Sequence, residues 1–131
     1  MTPHYPENCL YHSDALWLRL LDGGEAMIGI NHYAQKSLGE VVYLDLPGVG
    51  VSIHRDTALG TAESRKAVSD MIAPVDGTVL EVNARLRGEP ALINSDPYGE
   101  GWVLRIRLAT LDDIDHLFDA SAYLEHMGIT D

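Results

Sequence analysis

The chain has 131 residues, enough for one ordinary domain and too few for two of usual size. Its 46% apolar and 22% charged residues exclude a wholly disordered chain. Acidic residues outnumber basic ones 20 to 9, for a formal net charge of -11. Such a surface repels phosphate backbones, which argues against a nucleic-acid partner and for basic protein partners.

In chain order, residues 1–10 read as an N-terminal tail, with a single domain over 11–131. The tail has neither a basic n-region nor an apolar h-region, so it is no signal peptide. It holds the single cysteine, Cys9, which has no disulfide partner in the chain and reads as a bystander thiol. No apolar run reaches the ~18 residues of a membrane span, and a cytoplasmic protein without membrane contacts is expected.

Alternation predicts strands at Leu16–Leu20 and Ala26–Ile30, joined through Asp22-Gly23-Gly24. Asn31 is placed to cap a short helix ending at Gly39. Strands follow at Val41–Leu46, Ala58–Ala62, Val68–Ile72 and Thr78–Val82. A polar loop over Ile93–Gly101 precedes the strand Trp102–Leu108. Thr110 with Asp113 suggests a capping box for a helix whose face carries Leu111, Ile114, Leu117 and Phe118. Asp119 or Ser121 would cap a second helix closed by Gly128. Gly39–Asp45 and Gly77–Asn83 share a Gly-x-Val-apolar-x-apolar-Asp/Asn pattern, the mark of two related halves around one core.

Glu63-Ser64-Arg65-Lys66-Ala67 separates two short apolar runs and predicts a tight hairpin with a lysine at its tip. Alone, such a lysine is an ordinary solvated charge. With Ala67 after it and Pro74-Val75-Asp76-Gly77 closing the next turn, the segment resembles the swinging-arm hairpin of lipoyl domains. Biotinyl domains flank their lysine with methionines, whereas Arg65 and Ala67 stand here. From about Tyr11 to Met127 the chain resembles the H protein family of the glycine cleavage system. The resemblance is carried by Gly29–Gly39, Val41–Pro47, Glu63–Asp70, Ala73–Gly77, Leu92–Trp102 and Leu111–Tyr123. The loop Asn94-Ser95-Asp96-Pro97-Tyr98 is its most specific part.

The resemblance implies a mainly β, lipoyl-domain-like barrel-sandwich hybrid with short helices and a C-terminal helical appendage. It implies lipoic acid in amide linkage to Lys66, with Glu63, Ser64, Arg65, Ala67 and Asp70 recognised by the ligase or by the arm. The protein would then be a non-catalytic carrier, served by a lipoate ligase or lipoyl transferase. No catalytic pair stands out, and the six histidines show no metal-ligand spacing.

Three positions depart from the family pattern. Ala15-Leu16 stands where H proteins have His-Glu, although Asp70 is kept and Asp14 lies nearby. Arg65 stands where they have Val. A carboxylate at position 16 would pair with the amine of an aminomethyl-loaded arm, and Leu16 cannot. These departures favour a lipoate-binding carrier in sulfur oxidation, working with a heterodisulfide-reductase-like complex. The alternative is a glycine cleavage H protein carrying the aminomethyl group among the P, T and L proteins. A further alternative is a binding module without lipoate.

Overall fold

The computed structural model describes residues 4–14 and 16–129. Among the described residues, nine strands form two antiparallel sheets. Six of them, in the order β1 (Leu10–Tyr11), β2 (Leu16–Leu20), β3 (Glu25–Ile30), β9 (Leu104–Leu108), β8 (Gly77–Val82), β5 (Ser52–Ile53), make the larger sheet. The smaller sheet is β4 (Val41–Asp45), β6 (Ala58–Ser64) and β7 (Val68–Ile72). Helices α1 (His32–Leu38), α2 (Arg85–Gly88), α3 (Leu92–Ser95) and α4 (Ala120–Met127) decorate the sheets.

The main core draws on both sheets: Leu18, Ile28 and Ile106 from the large one, Val41 and Ala62 from the small one. The two sequence halves that echo each other place β4 and β8 in different sheets, and their matched Val41 and Val79 are both buried. Each sheet thus closes a core that neither could bury alone.

Over Leu16–Leu18, strand β2 is buried on both faces. Leu16 and Leu18 enter the main core, while Trp17 turns to a second, aromatic cluster with Tyr5, Cys9, Tyr11 and Tyr123. Opposite Trp17 in the ladder is Gly29, where a Cβ would come within 2.6 Å of the indole. Only glycine leaves that space. The indole N–H donates to the Pro97 carbonyl at 3.0 Å, which ties β2 to the loop after α3.

Within residues 4–10, the part of the expected tail that the structure describes, Tyr5 and Cys9 join the aromatic cluster. Tyr5 and Cys9 are 2% and 1% exposed, and the Tyr11 hydroxyl donates to the Pro6 carbonyl at 2.7 Å. Tyr11 also stacks on Tyr123 of α4 with centroids 5.1 Å apart. Burial, not sequence position, decides what this segment does.

Asn31 caps α1 through the Ala34 N–H, and Asp119 caps α4 through the Ala122 N–H, both at 2.8 Å. Three expectations fail. The stretch read as a polar loop from Ile93 begins inside α3, and Ile93 is fully buried. The capping box at Thr110 does not form: a 3-10 turn, Leu111–Ile114, stands there without a side-chain cap. The Asp113 carboxylate instead accepts from the Asp76 N–H at 2.7 Å and from Arg55 at 3.1 Å. Leu111, placed on the apolar face, is 66% exposed.

Candidate functional site: the β6–β7 hairpin

Strands β6 and β7 pair from Ala58↔Ile72 to Glu63↔Val68. Past that pair, the Ser64 N–H donates to the Ala67 carbonyl at 2.8 Å, leaving Arg65 and Lys66 as the tip. Two-residue hairpins commonly need positive φ at both central residues. Neither has it here, Asp56 being the one non-glycine with positive φ among the described residues. Ser64 supplies the alternative. Its buried hydroxyl accepts from the N–H of Lys66 at 3.3 Å and of Ala67 at 3.2 Å, so the side chain closes the turn.

Ser64, Arg65, Lys66 and Ala67 are therefore brought together, with Lys66 exposed and in no ion pair among the described residues. Glu63 and Asp70 lie on the strands below the tip. Glu63 pairs with Val68 and Asp70 with Thr61, two matched rungs that share one face of the sheet. Tyr43 and Asp45 of β4 continue those two rungs. The face thus carries carboxylates and two exposed apolar side chains, Tyr43 and Val68.

One neighbour of the lysine is legible in the sequence only as a helix end. Gly39, which ends α1 at φ 86°, lies under the Lys66 side chain, and a Cβ there would be 3.2 Å from Lys66 Cε. The contact joins residues 27 positions apart, and a helix-ending glycine gives no local hint of it.

Leu16 does not line an arm site. It is 2% exposed in the main core, paired with Ile30. Its difference from the family pattern is a matter of packing. Ala15 lies outside the described residues. Asp14 is exposed, and its backbone N–H donates to His12 Nδ1 at 3.0 Å. Burial pushes the Cys9 thiol up from its ordinary range, the mark of an inert cysteine.

An exposed lysine on a two-residue tip, carried by a two-sheet sandwich, is the arrangement that lipoyl-bearing and biotin-bearing carrier domains share. A family model described as "Glycine cleavage H-protein" matches residues 9–129, and the chain belongs to that family. It is 45% identical over 123 residues to a glycine cleavage system H protein of Chromobacterium violaceum, covering 94% of this chain and 96% of the relative. A Micrococcus luteus H protein is also 45% identical, over 122 residues, covering 92% of this chain and 95% of the relative. The crystal structure of a glycine cleavage system H protein from Mycobacterium marinum superposes with a TM-score of 0.86 at 34% identity. That superposition covers 95% of this chain and 99% of the other.

H proteins are non-catalytic carriers that bear lipoic acid on a lysine and work with the P, T and L proteins. These relatives back the glycine cleavage alternative and give no support to the sulfur-oxidation reading. That reading leaned on Ala15-Leu16 and Arg65; of these the fold places Leu16 in the core and Arg65 exposed at the tip.

Proposed function

We propose that this protein is a cytoplasmic glycine cleavage H protein with lipoic acid attached to Lys66, carrying an aminomethyl group between the enzymes of that system. The observation that carries the reading is Lys66 at the exposed tip of a hairpin closed by Ser64. An amide bond needs a free amine that a ligase can reach, and the residues present meet that requirement.

When bound, lipoate would supply a dithiolane: one sulfur bonds the carbon fragment, the S–S bond breaks, and the other sulfur is left as a thiol. The chain's own residues hold and present the arm. Ser64 fixes the backbone of the tip, and the paired strands behind it keep the arm's root in one place. Acylation removes one positive charge, taking the formal balance from -11 to -12. Tethering holds a reactive group at an effective concentration of order millimolar within a docked complex, so the protein needs no catalytic group of its own. A lipoate ligase or lipoyl transferase would read Glu63, Ser64, Arg65, Ala67 and Asp70 around the tip.

The test is intact mass after treatment with a lipoate ligase and lipoate, wild type beside Lys66→Ala. The wild type should gain one lipoyl group and Lys66→Ala none. The lipoylated form should then accept the aminomethyl group in the glycine decarboxylase reaction. Lipoyl mass on Lys66→Ala would remove the site assignment. A lipoylated protein inert with glycine cleavage partners would remove the pathway.

A further inference from the structure

We propose that Asn94 is a positioning residue for the arm: by pinning Gly39 beneath the Lys66 side chain, it sets the direction in which that chain leaves the hairpin. The functional meaning rests on Lys66 as the lipoylation site. The geometry does not.

Asn94 belongs to the most specific stretch of the sequence, yet it lies in α3, away from the hairpin. Its amide takes up the polar groups of the corner between α1 and β4. Oδ1 accepts from the Val41 N–H at 2.8 Å. Nδ2 donates to the Gly39 carbonyl at 2.8 Å and to Gln35 Oε1 at 3.0 Å. Asparagine suits this corner because it combines donors and an acceptor in one short planar group. Asp would keep the bond to Val41 and lose both donors. The next residue back, Ile93, is fully buried and anchors Asn94 to the core.

Two routes lead from this amide to Lys66. Through Val41, which pairs with Ser64, it reaches the backbone of the tip. Through Gly39 it reaches the side chain, whose Cε and Nζ would lie 3.2 and 3.8 Å from a Cβ at that position. Gly39 offers a bare shelf, and Asn94 holds the shelf in place.

The chain has two lysines, Lys36 and Lys66, so reductive methylation with 13C-formaldehyde gives two resolvable dimethyl-lysine probes that keep their charge. In the unlipoylated protein, Asn94→Ala should raise the mobility of the Lys66 methyls in NMR relaxation and leave those of Lys36 unchanged. Asn94→Asp should do the same, since the shelf bond is lost in both. Lipoylation kcat/KM should fall roughly tenfold in each, as for a misplaced reacting group. If Asn94→Ala does not fold, Asn94→Asp decides the matter. Folded variants with an unchanged Lys66 signal would overturn the positioning role. A wild type that gains no lipoyl mass would overturn the function of Lys66 and leave the relaxation result to stand on its own.

Discussion

Ser64 uses one buried hydroxyl to hold two backbone amides, so its removal should be felt at the tip. Ser64→Ala leaves the amides of Lys66 and Ala67 without that acceptor and should cost about 1 kcal/mol in urea unfolding. Lipoylation should slow as well. An unchanged rate would mean that the ligase shapes the tip for itself. Leu16 makes the opposite case: a family difference that invites a functional account and turns out to be core. Leu16→Glu would bury a carboxylate opposite Ile30 and should cost about 3 kcal/mol or more, without improving aminomethyl transfer. Wild-type stability for Leu16→Glu would show that position 16 opens to water after all. Cys9, buried with its thiol pushed up, should react slowly with a thiol reagent in the native protein and fast in denaturant.

Between β5 and β6, the loop is latched to the N-terminal segment by one pair. The Asp14 N–H donates to His12 Nδ1, so Nε2 carries the proton and donates to Asp56 Oδ1 at 2.7 Å. Asp56 sits at φ 66°, which an Asp or Asn tolerates better than most residues. The bond from His12 holds the Asp56 carboxyl below its ordinary range. A lowered carboxyl contributes stability above the unfolded-state value, and the contribution is lost as pH falls through the folded value. Melting temperature should therefore decline between about pH 5 and pH 3, and less steeply in Asp56→Asn, which keeps the backbone and an acceptor. Parallel acid limbs for the two proteins would show that the latch does not titrate. Such latches were not legible in the sequence, because they join residues 44 positions apart. What was legible is local. Alternation marked β2 and β3, Asn31 and Asp119 marked their helices, and the Arg65-Lys66 tip stood out between its strands. Helices α2 and α3 have four residues each, too short to show a period. The box at Thr110 gave way to tertiary contacts of Asp113, and Tyr5 found its partners in α4 at the other end of the chain.

A carrier must be released as readily as it docks, and the molecule's charge bears on both. With Lys66 acylated as proposed, the formal charge would be -12, and Arg65 would be the positive charge left at the tip. The face below carries Asp45, Glu63 and Asp70, none of them in an ion pair among the described residues. Such a face suits brief encounters with basic surfaces, where charge sets the encounter rate more than the final affinity. Raising ionic strength from 0.01 to 0.1 M shortens the screening length from about 30 to about 10 Å. Over that range the KM of a glycine cleavage enzyme for the lipoylated protein should rise while kcat holds, since chemistry at the arm's end is remote from the docking charges. Arg65 works against that attraction. Arg65→Val should lower KM at low salt, and the difference from wild type should shrink as salt rises. Steady-state kinetics of aminomethyl transfer, with wild type and Arg65→Val at several salt concentrations, measure both effects. A KM flat in salt would mean that Tyr43 and Val68, the exposed apolar side chains of the same face, hold the complex instead. Tyr43→Ala would then raise KM where the charge changes did not.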